Sequence, residues 1–287
     1  MVVRVTGVPG ERAAREDLRE RTVRFLRRWH LRTDGAARSG TSSLVTPVTA
    51  PDRTPAALKV QHLDAECAGE AAALRAWSGD GAVRLLRDDP PTATLLLERL
   101  HAHRPLTALP DPHEAVTVIG TLLTRLTARP APPGIRRLGD IAQGMLDRAP
   151  RALDAEPDPA VRALLRDCAA ALREVADEPG DRLLHWDLHH GNVLAADRAP
   201  WLAIDPKPLA GDPGFELLPA LVNRYDPADT PWRFDALTAA LGLDRDRARA
   251  WTLARVLQNR LWQLTDPTAP RPVPDPRLEV GAVLRGR

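Results

Sequence analysis

Apolar and polar positions along the 287-residue chain follow two different periods, and the change between them marks its organisation. Residues 11–30 (ERAAREDLRERTVRFLRRWH) place apolar side chains at helical spacing and predict an opening helix. GAARSGTSS (35–43) is a small-residue turn holding Gly35 and Gly40. LVTPVTA and PAALKVQ flank a DRT turn and read as a hairpin. Residues 64–77 (DAECAGEAAALRAW) put strong helix formers behind an Asp and predict a helix. GAVRLLRD and ATLLLERL then predict two more strands. From about residue 104 the period turns helical, over roughly 112–128, 138–148 and 158–176. Short apolar runs (RLLHW, NVLAA, WLAID) alternate with turns over 182–205, and helices resume at 213–223, 232–242 and 246–265. Proline clusters at 108–112, 130–133, 150–159 and 266–276 separate these segments, because proline cannot continue a helix interior. The pattern predicts an α+β protein of two lobes: residues 1–97 with an antiparallel sheet and a helix, a hinge at 98–104, and a mostly helical part over 105–287. A cleft between lobes is where ligand sites preferentially form.

Composition narrows the partners. With 44% hydrophobic residues, 27% charged residues and a formal charge of +2, the chain carries no basic stripe that would favour nucleic acid. It contains no apolar run of eighteen residues, and its opening lacks a signal-peptide core, so a cytoplasmic location is expected. Cys67 and Cys168 lie far apart without metal-type spacing and read as reduced, buried thiols. Of 40 basic residues only Lys59 and Lys207 are lysine. In so arginine-rich a chain, a lysine marks a place where a compact point charge serves and a planar guanidinium does not.

The chemistry concentrates in HWDLHHGN (185–192), which has the H-x-D-x-x-x-x-N spacing of a kinase catalytic loop. Asp187 would accept a hydroxyl proton as that oxygen attacks a phosphorus, and Asn192 would ligate Mg²⁺ through its amide oxygen. His185 suits a scaffold role, bonding backbone to fix the loop. NVLAADRAPWLAID supplies a hairpin that returns Asp205 beside Asn192, giving two oxygen ligands for a hard divalent cation. A zinc-hydrolase reading of His185, Asp187, His189 and His190 is weaker, since it leaves Asn192, Asp205 and Lys59 without a role.

Upstream, Lys59 ends a strand in ALKV, like a lysine that contacts ATP phosphates. Glu66 and Glu70 lie four apart on one helix face, and either could pair with it, Glu70 being favoured. Ser39, Gly40, Thr41 and Ser42 could cover the phosphates, and backbone at Glu98, Arg99 and Leu100 could meet an adenine edge. Asp212 stands near a helix N-terminus, where a carboxylate caps and braces. Lys207 follows the second carboxylate closely and suits either phosphate or a nearby acid. Trp186, Trp232, Trp251 and Trp262 suit core or cleft walls.

These residues resemble the aminoglycoside and hydroxyurea antibiotic-resistance kinases, with the streptomycin 6-phosphotransferases nearest among them. The resemblance runs from about Arg28 to Trp262, through WHLRTDGAARSGTSSLVTPV, AALKVQ, LLLERL, LLHWDLHHGNVLAA, PWLAIDPKPLAGDPGFEL and WTLARVLQNRLW. It implies a protein-kinase-like fold with a five-stranded sheet and a helix in the first lobe. It also implies ATP and Mg²⁺ as cofactors, Asp187 as catalytic base, Asn192 and Asp205 on the metal, and Lys59 on the phosphates. Where the wider family often has glycine after the motif histidine, this chain has Trp186. The function implied is phosphoryl transfer to a hydroxyl of an aminoglycoside, streptomycin first, by a monomer or weak dimer. Hydroxyurea or another hydroxylated metabolite is the alternative acceptor, and a nucleotide sensor without turnover the alternative of another class. Streptomycin carries guanidinium groups, so Glu216, Asp226, Asp229 and Asp235 are candidate acceptor contacts, with His189 and Trp262 beside them.

Overall fold

The computed structural model describes residues 9–40, 42–265 and 272–286. Helix α1 (Pro9–Arg28) leads into the short strands β1 (Arg32–Thr33) and β2 (Arg38–Ser39), then β3 (Ser43–Thr49) and β4 (Pro55–Gln61). After α2 (Glu70–Trp77) come β5 (Leu85–Asp89) and β6 (Thr94–Glu98). The first lobe is therefore an antiparallel sheet in the order β1-β3-β4-β6-β5, with β2 attached to β3.

Strand β4 shows how the alternation of its residues builds two surfaces. Ala56, Leu58 and Val60 are buried on one side with Leu18 and Phe25 of α1 and Trp29 just beyond it. Ala57, Lys59 and Gln61 point the other way, as the twofold period of a strand requires. Phe25→Ala is expected to lower the unfolding free energy by about 3–5 kcal/mol, read as a shift of the denaturation midpoint.

The second lobe begins with β7 (His101–Pro105), α3 (Pro112–Thr127), β8 (Arg136–Arg137), α4 (Leu138–Ala155) and α5 (Pro159–Val175). Then follow β9 (Arg182–Leu184), β10 (Val193–Ala195), β11 (Leu202–Ala203) and β12 (Leu209–Gly211). The chain closes with α6 (Leu217–Val222), α7 (Thr230–Leu241), α8 (Arg245–Thr265) and α9 (Pro276–Arg285). Helices α4, α5 and α9 pack on α8, whose central stretch is almost wholly buried. Among the described residues no helix is long and apolar enough to cross a membrane.

Four details depart from expectation. Helix α2 starts at Glu70, not Asp64, because Asp64 Oδ1 accepts the Glu66 and Cys67 N–H groups and closes a turn first. Gly69 ends that turn in tight quarters: a Cβ there would lie 2.7 Å from Ile135 and 2.9 Å from Pro208. Helix α4 continues past the exposed Pro150 to Ala155, since buried Met145 and Ala149 on its packed face outweigh one proline. The 98–104 connector is no free linker, because β7 pairs with β10, Leu194 facing Pro105 and Ala195 facing His101. Helix α9, which the proline cluster obscured, is capped by Asp275 with Pro276 in its first turn.

Candidate active site

Strand β9 delivers the chain into the 185–192 loop, and the β10–β11 hairpin returns it. His185 is fully buried, and its Nε2 lies 3.0 Å from the Ile204 carbonyl. Burial pushes its imidazole down to about 4, so it is a neutral brace between loop and hairpin. His189 Nδ1 accepts the Gly191 N–H at 3.0 Å, tying the loop to itself. Asn192 Nδ2 donates to the Asp187 carbonyl at 2.9 Å, and the Asn192 carbonyl accepts from Ile204 N–H at 2.9 Å. The second contact sets Asp205, which takes a left-handed φ of +57°, beside the loop.

Lysine 59 reaches the same place from the other lobe. Its Nζ lies 2.7 Å from both oxygens of Glu70 and 2.5 Å from Asp205 Oδ1. Of the two candidate glutamates it is Glu70 that takes Lys59, held further by Gln61 Nε2 at 2.6 Å. Glu66 instead points to Lys207, 3.6 Å away, because the turn at 64–69 carries it off the helix face. Burial opposes the charge on Lys59, but Glu70 and Asp205 outweigh it and hold the ammonium above its usual range. Burial likewise opposes the charge on Asp205, and Lys59 overcomes it and keeps that carboxyl below the usual range. At Glu70 burial prevails and the carboxyl is raised. Burial also raises Asp187, against the pull of His189, Arg255 and Lys207.

Two cavities border this cluster, one on Lys59, Asn192 and Asp205 and the other on Asp187. One, of about 530 Å³, is bounded by Ala57, Lys59, Leu97, Leu194, Asn192 and Asp205. Ser39, Gly40, Glu98, Arg99 and Leu100 also line it. The side chains of Glu98 and Arg99 are engaged elsewhere: Glu98 accepts from Arg198, and Arg99 donates to the Ala56 and Val48 carbonyls. Ser42 gives its carbonyl to the His62 N–H at 3.1 Å and lies off the cavity wall, whereas Ser43 is on it; Thr41 lies outside the described residues. The second cavity, of about 350 Å³, is lined by Asp187 together with Trp186, Lys207, Arg255, Gln258 and Trp262.

Several expected acceptor contacts stand elsewhere. Glu216 is fully buried, its Oε1 accepting the Trp186 N–H at 2.7 Å, so it cannot touch an acceptor. Asp226 faces a separate surface hollow with His113 and Arg224, and Asp229 there is paired with Arg233. Asp235 pairs with Arg245. His189 is turned to its own loop and is not on the wall of the Asp187 cavity, whereas Trp262 is. Asp212 is a brace, accepting from the Gly214 N–H and from Arg247. Arg255 and Gln258 went unnoticed in the sequence, since one arginine among 38 carries no signal until α8 is packed.

Asn192 commits its amide N–H to the Asp187 carbonyl, which leaves its oxygen for another partner. With the Asp205 carboxylate it offers two hard oxygen donors, which suits a magnesium ion whose shell is completed by phosphates and water. Among the described residues no three of His, Cys, Asp and Glu gather in a metal-binding group.

The sequence profile described as aminoglycoside/hydroxyurea antibiotic resistance kinase matches residues 28–266. A hydroxyurea phosphotransferase of Kitasatospora aureofaciens is 58% identical over 274 residues, covering 95% of this chain and 80% of the relative. A streptomycin 6-kinase of Streptomyces glaucescens is 54% identical over 253 residues, covering 85% of this chain and 82% of the relative. The fold is also that of an aminoglycoside phosphotransferase crystallised with ADP and hygromycin B, with a TM-score of 0.62 at 16% identity. That likeness covers 92% of this chain and 97% of the other.

Proposed function

Because the chain belongs to the aminoglycoside/hydroxyurea antibiotic resistance kinase family, we propose that it transfers the γ-phosphoryl group of ATP, with Mg²⁺, to a hydroxyl of an aminoglycoside, streptomycin first. The observation that carries this reading is the cluster of Lys59, Asp187, Asn192 and Asp205, with one cavity lined by Lys59, Asn192 and Asp205 and another lined by Asp187. ATP would occupy the larger cavity, its adenine edge against backbone at 98–100 and its phosphates beneath the 39–43 turn. Lys59 would hold the phosphates, while Asn192 and Asp205 would hold Mg²⁺. When bound, that ion supplies charge neutralisation across the phosphates. Asp187 would accept the acceptor's hydroxyl proton, and its burial-raised basicity suits the task. Most of the acceleration would come from holding the acceptor oxygen in line with the phosphorus, since this chemistry depends chiefly on position and charge. The complete set of four residues speaks for turnover over a nucleotide sensor.

A second acceptor, hydroxyurea, is favoured by one observation. The cavity beside Asp187 presents Arg148, Lys207 and Arg255, while its other carboxylate, Glu66, already faces Lys207. That surface suits a small neutral acceptor better than a guanidinium-bearing one, and the relative acting on hydroxyurea is 58% identical.

We place the reaction in the cytoplasm, with the chain working as a monomer or weak dimer. We also propose residues 1–97 and 105–287 as the two moving parts, turning at Leu100. In support, the Arg99 side chain is bonded to β3 and β4, whereas His101 is already paired with Ala195 of β10.

The test is ADP release by the purified protein with Mg²⁺ and ATP, against streptomycin, other aminoglycosides, hydroxyurea and no acceptor, with mass spectrometry of each acceptor. A phosphate on streptomycin is the expected result, and one on hydroxyurea alone selects the second reading. ATP left untouched with every acceptor would overturn the assignment.

A further inference from the structure

Trp186, immediately before Asp187, has a φ of +64°, a left-handed conformation that bulky side chains rarely adopt. It is gripped from both sides. Its N–H donates to Glu216 Oε1 at 2.7 Å, and its C=O accepts from Arg255 Nη2 at 3.0 Å. The same guanidinium lies 4.9 Å from the centre of the Trp186 ring and 5.2 Å from that of Phe215, while Arg136 stands 4.4 Å from the Trp186 ring. Gln258 Oε1 accepts from Arg255 Nη1 at 2.9 Å and fixes its orientation. Glu216 sits at the end of the turn over 213–216, which Asp212 caps, so its carboxylate is carried on a braced element.

The consequence follows from peptide planarity. The N–H of Trp186 belongs to the plane before its Cα, and its C=O belongs to the plane after it, which also contains the Asp187 N–H. Holding both groups holds φ and ψ of Trp186. That places the Asp187 N–H and Cα, and the bonds from Asn192 Nδ2 and the His189 N–H to the Asp187 carbonyl hold its own φ, so together they set the direction in which its side chain leaves the backbone.

We propose that Glu216 and Arg255 are positioning residues that clamp the Trp186 peptide groups and so aim Asp187 at the acceptor hydroxyl. The proposal rests on the reading of Asp187 as the base. Neither residue is among those lining the nucleotide cavity, so their loss should act on turnover and not on ATP. Burial lowers Arg255 to about 10 and raises Glu216 to about 7, the cost of placing this pair beneath the loop.

Arg255→Met removes the donor while keeping bulk, and Arg255→Lys restores a cation able to reach the same carbonyl. With streptomycin and with hydroxyurea as acceptors, Arg255→Met is expected to lower kcat by about 30- to 100-fold, the scale of a small misplacement of a reacting group. The KM for ATP should stay near that of the parent and the protein should remain folded at assay temperature, and Arg255→Lys should recover part of the loss. Glu216→Leu should behave like Arg255→Met, and Glu216→Gln, which keeps an acceptor oxygen, should lose less. Hydrogen–deuterium exchange over residues 184–188 should quicken in Arg255→Met and Glu216→Leu while the β12 strand stays protected. An unchanged kcat in a folded Arg255→Met protein would overturn the clamp, as would a KM for ATP raised in step with the loss of kcat. Were the parent to phosphorylate neither acceptor, the acceptor reading would fail by itself, and unchanged exchange over 184–188 would still overturn the clamp.

Discussion

Asp187→Asn is expected to lower kcat by about a thousandfold, within the range a positioned general base supplies, while Mg-ATP binds as it does to the parent. The substitution keeps size and shape. The shorter contacts that hold the residue use its backbone, the carbonyl accepting from Asn192 Nδ2 and from the His189 N–H, and the one side-chain contact, Asn192 Nδ2 to Oδ2 at 3.4 Å, can be kept by an amide oxygen. What disappears is the carboxylate, which burial holds above the usual aspartate range. Removing a negative charge near the γ-phosphate should leave nucleotide affinity intact or slightly improve it. Single-turnover ADP formation and calorimetric titration with nucleotide separate the two effects. The acid limb of the parent's kcat/KM profile should lie above the range of an exposed aspartate and vanish in the variant. Full activity in Asp187→Asn would remove Asp187 from the role of base.

Asp205→Ala should fail one step earlier, at nucleotide binding. Asp205 is partly exposed to the cleft and kept ionised by Lys59, the state a metal ligand needs. Its loss should weaken Mg-ATP binding by at least about a hundredfold, the upper end of what losing even an outer-shell partner costs a metal site. Lys59 keeps Glu70 at 2.7 Å, so the fold around it should survive. Titrations with and without Mg²⁺ give the decisive comparison. The variant should bind metal-free ATP about as well as the parent and gain nothing from Mg²⁺. A preserved Mg²⁺ enhancement would move the metal away from Asp205.

The legible part of this site is the part written contiguously. Asp187, Asn192 and Asp205 fall within one loop and one hairpin, so spacing alone brings them near one another. Lys59 stood out because the chain has only one other lysine. Long-range placement was not legible. Glu70, the glutamate favoured from the sequence, does take Lys59, but the reason Glu66 does not, a turn that Asp64 closes before α2 begins, is written in no local pattern. Glu216 read as a candidate acceptor contact because a guanidinium-bearing acceptor calls for carboxylates, but tertiary packing turns it inward beneath Trp186. Asp226, Asp229 and Asp235 belong to a neighbouring hollow or to local ion pairs, which no local pattern distinguishes from a cleft wall. The elements followed the same rule. Periodicity reported β3, β4, α3 and α5 well, whereas the two- and three-residue strands β8 and β12 exist only through pairing with distant partners.

The pairing of β7 with β10 has a consequence in time. Were Leu100 the turning point, opening the cleft would rotate a few backbone dihedrals and leave the β7–β10 hydrogen bonds in place, while drawing on those that join Gly81 and Val83 to Ala203. Such hinge motions take roughly microseconds to milliseconds. A typical enzyme turns over about ten times per second. The mouth of the cleft would therefore open and shut many times for each phosphoryl group passed on. Molecules exchanging at that mouth would come to equilibrium with their surroundings before the slow step, so that step and the fraction of acceptor bound, not passage through the mouth, would set the pace.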